Sequence, residues 1–413
     1  MLHSKVLPLW QLNTKLTGMK LRSQLLHATS VAILFFCTTF AAQAQDKPTF
    51  KPSGYMQAVV QMAQPNGIPS VGSTHHEQGK YFLRAGLRRS YWGVESTYKG
   101  WKAKGEIIIL DHKLDFYKAY IGYTLPQNKS WSFDAGLNTV PFGMELTTSS
   151  RERETIERAL YFKDLFPSDV DFGLAAHYKL PHHKPYYVNH LTVDAALIGG
   201  NDKHGMRKSI PDAVLRLEAG HKDEQMVRKY GISGFYGYVT DSKGNHYTRA
   251  YAGCHLSYAL LRQSYCAKLY LEGIMGRQPG LATQNYAIGK NAPEQNPEGG
   301  AIKERDFMGG MAMIAVRGTS VPLEGVVKYS YYARNRHLKR ELEKGFAPEP
   351  SQFLAEGVSH NTTFALNGYF NDNRVRVSLY YELIFRQTAA NAAYKPIMQD
   401  RDDLLSLALQ FAF

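Results

Sequence analysis

Residues 133–167 read FDAGLNTVPFGMELTTSSRERETIERALYFKDLFP, and this stretch decides the fold. It begins as an alternating strand, is interrupted by Pro-Phe-Gly at 141–143, and continues as a long charged segment. The alternation resumes near Val170. A long polar insertion between two amphipathic strands is typical of a β-barrel with a loop that folds into its own lumen. We therefore expect an inward-folded loop at about 142–169.

The bulk composition favours a strand-rich chain. Its 413 residues exceed one ordinary soluble core, so the chain is either several soluble domains or one large barrel. Tyrosine (27) and phenylalanine (20) supply nearly all the aromatic residues, as strands prefer. Mean hydropathy is −0.35, and no run after residue 44 approaches the roughly 18 apolar residues of a membrane-spanning helix.

Residues 1–44 are predicted to be an export signal and not part of the fold. A basic segment at 19–22 precedes an apolar segment at about 28–40, and Ala-Gln-Ala at 42–44 fits a signal-peptidase site. The mature chain would then begin at Gln45.

Three segments follow from this prediction: the signal peptide, a periplasmic lead at 45–52 and a barrel at 53–413. Met19 is an alternative start, because a signal does not need the residues before it. Removing the signal's four basic residues from 49 leaves 45 against 36 acidic residues, a charge of +9. Such a balance suits nucleic acid, an acidic membrane surface or small anions, and export argues against nucleic acid.

Sixteen segments after Gln45 alternate apolar and polar residues with period two, as strands between lipid and water must. The number is even, as bacterial single-chain barrels require. The connections also alternate between long and short, which a stack of soluble sandwiches would not explain. The predicted strands are approximately 55–61, 81–98, 101–111, 116–124, 133–140, 170–180, 188–198, 210–220, 228–239, 247–258, 264–275, 305–317, 322–335, 357–371, 374–388 and 402–413.

The last strand carries one continuous apolar face from Leu405 to Phe413, which is the C-terminal residue. A terminal Phe on an alternating strand is typical of the closing strand of bacterial outer-membrane proteins. We predict an all-β fold: a transmembrane antiparallel β-barrel of about 16 strands in the bacterial outer membrane, with an inward-folded third extracellular loop. A soluble periplasmic β protein is the alternative.

Three segments resemble the phosphate-selective porin O and P family. They are Gly136–Arg158, with its Val-Pro-Phe-Gly and Leu-Thr-Thr-Ser-Ser motifs, Gly86–Val94, with an Arg-Arg pair before Gly-Val, and Phe116–Tyr123, similar to the family's fourth strand. The likeness covers about residues 82–180. It implies a 16-stranded, trimeric outer-membrane channel for anions, with a constricting third loop. Thr139 departs from the family, which often has a basic residue there.

A channel selects anions by lining a narrow path with Arg and Lys, and the guanidinium fork matches two phosphate oxygens. Strand parity and the loop sequence supply candidates, although acidic residues share the same face. The simpler interpretation of any one of them is an ion pair in the wall, such as Lys104 with Glu106. The candidate pore-lining residues are Arg84, Arg88, Lys102, Lys104, Lys118, Arg151, Arg158, Lys328, Arg334, Arg374 and Arg376.

The inserted loop carries equal numbers of basic and acidic residues between 149 and 166. Ser149 or Ser150 could cap a short helix in which Glu154 and Arg158 pair. In one interpretation the loop neutralises itself and narrows the lumen. In the other, its acids pair with the wall and leave Arg151 and Arg158 facing ions.

Two cysteines remain in the mature chain, Cys254 and Cys266, on either side of an expected turn near 259–263. If the hairpin is centred on Leu260, they lie opposite each other and can form a disulfide in an oxidising compartment. The alternative is two reduced thiols. No cofactor or metal site is predicted.

The first functional hypothesis is a passive porin that prefers anions such as phosphate or polyphosphate, assembled as a homotrimer among outer-membrane lipid and lipopolysaccharide. The second is a general diffusion or oligosaccharide porin, with Tyr55, Tyr332 and Tyr380 stacking on sugars. The third is a barrel enzyme, which needs a nucleophile beside His177 or His255. We expect a channel and no enzyme.

Overall fold

The computed structural model describes most of the chain after residue 46, and everything below concerns those residues. The predicted signal peptide lies outside them, and the first strand begins at Thr49, inside the predicted lead. The described ranges are 47–64, 69–71, 81–110, 113–180, 188–200, 210–240, 244–281, 302–345, 357–386 and 403–413.

Sixteen antiparallel strands close into one barrel in which each strand pairs with its neighbours in sequence and β16 pairs with β1. This confirms the predicted fold class and strand number. The strands are β1 Thr49–Ala63, β2 Phe82–Tyr98, β3 Trp101–Leu110, β4 Lys113–Thr124, β5 Trp131–Thr139, β6 Val170–Lys179, β7 His190–Ile198, β8 Asp212–Lys222, β9 Met226–Thr240, β10 His246–Leu261, β11 Tyr265–Leu281, β12 Ile302–Gly318, β13 Leu323–Ala333, β14 Val358–Phe370, β15 Val375–Arg386 and β16 Leu404–Ala412.

The closing strand shows how period two sorts side chains between lipid and lumen. Leu405, Leu407 and Leu409 are exposed on the outer face, while the alternating Ser406 and Gln410 are buried inside. Because a one-residue slip would exchange these faces, the apolar pattern fixes the register of the strand.

Two short helices lie outside the wall strands: α1, Leu160–Leu165, and α2, Leu338–Glu343. Within the described ranges, no helix is long and apolar enough to cross a membrane.

Most connections at the barrel end where β16 finishes are short, while most of those at the other end are longer; the β6–β7 and β3–β4 connections are the exceptions. The β2–β3 turn has only two residues, Lys99 and Gly100, both in the left-handed region (φ 46° and 86°). The β14–β15 turn uses three consecutive left-handed residues at 371–373. Short turns mark the periplasmic end of an outer-membrane barrel.

The predicted disulfide between Cys254 and Cys266 is wrong, because both thiols are free. The β10–β11 turn lies at 262–264, later than expected, so Cys254 faces Gly273 and Cys266 faces Leu261. Residues 266 and 273 are seven positions apart on one strand, or roughly 23 Å at 3.3 Å per residue. A disulfide cannot span that distance.

Candidate functional site

Residues 140–169, called L3 below, fold into the barrel between β5 and β6. The Val140 N–H donates to the Asp169 carbonyl (3.0 Å), which closes the neck of the loop. Just inside, Gly143 adopts φ 62°; its N–H donates to Ser233 Oγ and its carbonyl accepts from Arg216 Nε, each at 3.0 Å. These bonds fasten the start of L3 to β8 and β9, and confirm the inward-folded third loop.

Farther along, the loop backbone is held by β11. The N–H groups of Met144 and Glu145 donate to the two carboxylate oxygens of Glu272, at 2.6 and 3.0 Å. One wall side chain therefore satisfies two buried backbone donors, which would otherwise cost about 1–3 kcal/mol each.

An aromatic core joins L3 to the same side of the wall. Phe142 and Phe166 pack together at 5.2 Å, and Phe166 lies edge-on to Phe235 and Tyr251 at 5.8 and 5.7 Å. From α1, Tyr161 packs against β13. Apolar burial of this kind inside a barrel holds the loop to the wall and removes that part of the lumen from the solute path.

Glycines in the facing strands make room for these rings. A Cβ on Gly309 would lie 2.9 Å from the Tyr161 ring, and one on Gly253 would lie 3.0 Å from Phe142. A glycine inside a strand often marks a place where another segment approaches the strand closely. Both glycines therefore indicate where L3 packs, although the alternation of the strands did not reveal this.

Ion pairs to a buried carboxylate of L3 complete the attachment. Arg88 forms two bonds to the Glu157 carboxylate, at 2.7 and 3.0 Å, and Arg89 and Lys163 contact the same group at 3.3 and 3.0 Å. Alternation in β2 breaks at this point, so that both neighbouring arginines face inward. Arg89 was not predicted, because strict parity assigns it to lipid.

At the neck of L3, Arg158 bonds to Asp169 at 2.6 Å, and the Tyr117 hydroxyl donates to the same carboxylate at 2.6 Å. Burial raises the pKa of Asp169, but Arg158 and this hydrogen bond outweigh it and lower the pKa to about 2. Glu157 also has a pKa well below its ordinary range: burial opposes ionisation, but Arg88 and Lys163 more than offset it. Both carboxyls are therefore charged at neutral pH.

Five predicted pore-lining bases hold L3 in place instead of bordering open space. Arg158 bonds within the loop, Arg88 joins the loop to β2, and Lys328 is buried and bonds to Glu145. Arg334 bonds to Asp164 at 2.7 Å, and Arg376 is buried with Nη1 donating to the Arg153 carbonyl.

Arg374 is misplaced in the prediction. It is exposed in the turn between β14 and β15, before the strand begins, where its carbonyl accepts from Ala412. Arg84, by contrast, is a half-buried residue of β2, with its guanidinium 5.0 Å from the centre of the Phe82 ring.

The other side of L3 faces a polar cleft of about 240 Å³ against β1–β5. Lys104, Lys118 and Arg151 line it together with the Thr-Thr-Ser-Ser run at 147–150. Lys104 lies 3.4 Å from Glu106, while Arg151 is exposed. Nearby, Lys102 lies 3.3 Å from Glu95 and above the Tyr120 ring. These predicted bases remain beside accessible space.

A row of tyrosines forms one wall of the cleft. Tyr55 and Tyr91 stack at 4.8 Å, and Tyr117 meets Tyr91 edge-on at 4.5 Å. Tyr55 also hydrogen bonds to Ser150 of L3. All three tyrosines predicted to face solutes, Tyr55, Tyr332 and Tyr380, are buried.

A histidine–carboxylate network on β5–β10 was not predicted as a unit. His177 lies between Asp194 (2.7 Å) and Asp134 (3.4 Å), and His255 contacts Glu218 at 3.1 Å. Arg216 links Asp194 to Glu218. Both histidines considered for an enzyme are thus bonded to wall carboxylates.

The expected loop helix capped by Ser149 or Ser150 is absent from the described L3, where α1 begins only at Leu160. Glu154 bonds to Lys268 of β11 at 2.7 Å and not to Arg158. The loop acids therefore do pair with the wall, as one interpretation predicted. Arg151 is left exposed, but Arg158 is not.

In most lysine–carboxylate pairs of the described lumen, the lysine is the more exposed partner. Lys163 is 45% exposed against 9% for Glu157, and Lys229 is 40% exposed against 6% for Glu218. The pairs made by Lys102, Lys104 and Lys268 show the same order, while Lys328 and Glu145 are both buried. Water in the lumen therefore meets a more basic surface than the charge count suggests.

Residues 80–209 match the family of phosphate-selective porins O and P, which confirms the resemblance over just under a third of the chain. No curated protein matches the chain in sequence.

Solved structures share the fold. The outer-membrane channel DcaP of Acinetobacter baumannii is 12% identical with a TM-score of 0.54, covering 90% of this chain and 99% of that one. An anion-selective porin from Comamonas acidovorans is 10% identical with a TM-score of 0.52, covering 89% and 100%. OprB of Pseudomonas putida is 8% identical with a TM-score of 0.54, covering 88% and 94%. The family match and this porin fold place the protein in the bacterial outer membrane as a channel.

Proposed function

We propose that this channel is a passive porin that prefers anions, with phosphate or polyphosphate as its solute class. The observation that carries the proposal is the exposure of five lumenal lysines, which exceeds that of their carboxylate partners. A permeating anion meets ammonium groups, while most of the paired carboxylates lie behind them. Low dielectric in the wall strengthens this field.

The cleft beside L3 is the proposed anion path. Lys118 and Arg151 approach it from opposite sides, one from β4 and one from the loop. Thr147 and Thr148 donate their hydroxyl protons to loop carbonyls, so Ser149, which accepts from the Arg151 N–H, is the hydroxyl that can donate to a solute. A series of weak donors suits conduction, because a solute bound too tightly would not leave. The family match supports phosphate, and the likeness to the anion-selective Comamonas porin supports a preference for anions.

A reversal-potential measurement on the purified porin in a planar bilayer tests the anion preference. Under a KCl gradient the potential should move toward that of chloride, and millimolar phosphate should then reduce the chloride current. A potential on the potassium side would overturn the anion proposal. Chloride selectivity without phosphate block would overturn only the phosphate part.

A general or oligosaccharide porin is the second candidate, favoured by Tyr117, the partly exposed ring of the tyrosine row beside the cleft. Aromatic faces beside polar groups suit sugar rings. In that case a neutral oligosaccharide would block the current and phosphate would not.

The remaining features of the proposal come from the resemblance and the sequence. The porin would be a homotrimer surrounded by phospholipid and lipopolysaccharide, with its signal removed after residue 44. The mass of the protein extracted from outer membranes tests the cleavage site, and its native mass in mild detergent tests the trimer. The proposed transport involves no covalent chemistry.

A further inference from the structure

Basic side chains recur around the periplasmic end of the barrel. Seven connections lie at this end, and six of them carry an exposed Lys or Arg within the connection or at the adjoining strand end. At the seventh, Arg317 is half-buried, with its guanidinium 4.0 Å from the centre of the Tyr369 ring. The six exposed residues, called the periplasmic ring below, are Lys99, Lys129, Lys179, Lys222, Arg262 and Arg374.

Exposed acids are fewer at the described connections of this end. They are Asp223, Glu224 and Asp372. The Asp223 carboxylate accepts hydrogen bonds from the backbone N–H groups of Gln225 and Met226 in its own turn, at 2.8 and 2.7 Å. The periplasmic ring therefore has a net positive charge spread around the barrel.

Outward-facing aromatic residues fix the depth of the ring in the membrane. Trp101 pairs with Tyr123 at 4.6 Å, and Trp131 pairs with Tyr178 at 5.0 Å. Such residues mark the interface between hydrocarbon and headgroups. Lys99 and Lys129 each precede one of these tryptophans by two residues, so the basic groups lie at the level of lipid phosphates.

We infer that the periplasmic ring binds the anionic headgroups of phospholipids in the periplasmic leaflet. Most of these connections have only two to six residues, so the charges stay at the membrane surface and do not project toward the cell wall. Successive connections are two strands apart, roughly 10 Å, so that each base can meet a different headgroup. The inference does not depend on which solute the channel carries.

Quenching of tryptophan fluorescence by brominated lipids tests this binding at the outer face of the barrel. Trp92, Trp101 and Trp131 are all exposed on the outer face. The full-length mature porin is reconstituted in phosphatidylcholine vesicles, and brominated phosphatidylglycerol is compared with brominated phosphatidylcholine. We expect about fivefold stronger association of the anionic lipid at low salt, reduced at high salt.

The variant Lys99→Gln/Lys129→Gln/Lys179→Gln should reduce that preference to less than twofold. A matched triple in α2 and directly after it, at the other end of the barrel, Lys339→Gln/Arg340→Gln/Lys344→Gln, should leave it unchanged. Equal quenching by the two lipids in the wild type, or an equal loss in both triples, would overturn the inference. Cosedimentation with purified peptidoglycan that only the first triple loses, without a lipid preference, would assign the ring to the cell wall instead.

Discussion

The two sides of L3 differ in what their charges do. On the anchored side, along β8–β15 and at Arg88 and Arg89 of β2, the loop is held by aromatic rings and by ion pairs such as the buried Lys328–Glu145. On the cleft side, facing β1 and β3–β5, Lys104, Lys118 and Arg151 border a polar cleft. Basic residues of the same kind therefore fasten the loop on one side and meet solvent on the other.

One side of L3 therefore holds the loop in place, and the other side sets the charge that permeating ions meet. A buried base that loses its partner leaves a charge without compensation, whereas a half-exposed base is solvated in either case. Substitutions on the anchored side should change the width and steadiness of the pore. Substitutions on the cleft side should change which ions pass.

The largest effect is expected from Glu157→Gln on the anchored side. It removes the charge that Arg88, Arg89 and Lys163 share, at a cost of about 3–5 kcal/mol if no other group compensates. The loop should detach in part, so single-channel conductance should rise and fluctuate. Conductance traces and urea unfolding midpoints measure the two consequences. Glu343→Gln on exposed α2 is the control, and a steady wild-type conductance in Glu157→Gln would contradict the anchoring role.

The sequence predicted the barrel because lipid and water impose period two on every strand, and it predicted L3 because that period stops at residue 141. It did not predict which bases hold the loop. Arg88 and Lys328 have the same parity as Lys118, and only the resting position of L3 distinguishes them. A local break in β2 turned Arg89 inward, and an error of about three residues in the position of one turn led to the predicted disulfide. The alternation of apolar and polar residues does not reveal such local features.

The next effect is a dependence of stability on acid pH at the neck of L3. The pKa of Asp169 is lowered to about 2, so its contribution is present above the unfolded value of about 3.9 and is lost as pH falls toward 2. The loss amounts to about 2 kcal/mol. Urea unfolding at a series of pH values should show this decline between about pH 4 and 2, and Asp169→Asn should flatten it. An equal slope in the variant would show that other groups cause the decline.

On the cleft side, Lys104→Gln/Lys118→Gln should reduce the chloride-to-potassium permeability ratio. One charge close to an ion path contributes about 1 kcal/mol in water, so we expect a change of about twofold to fivefold. The urea midpoint should remain near that of the wild type, since neither lysine bonds to L3 in the described contacts. Reversal potentials measure the ratio. An unchanged ratio would place the selective charges elsewhere in the lumen.

The smallest effect separates two ways in which Arg151 could meet phosphate. This residue lies exposed on L3 at the edge of the cleft, where a guanidinium can bond to two phosphate oxygens and an ammonium acts as a point charge. Arg151→Gln should weaken phosphate block of the chloride current by about twofold to threefold, less than 1 kcal/mol, as expected for an exposed charge. If the fork matters, Arg151→Lys should restore chloride selectivity but not the block. Full recovery of the block by lysine would mean that only the charge at position 151 matters, and that the preference for phosphate arises from other groups of the cleft.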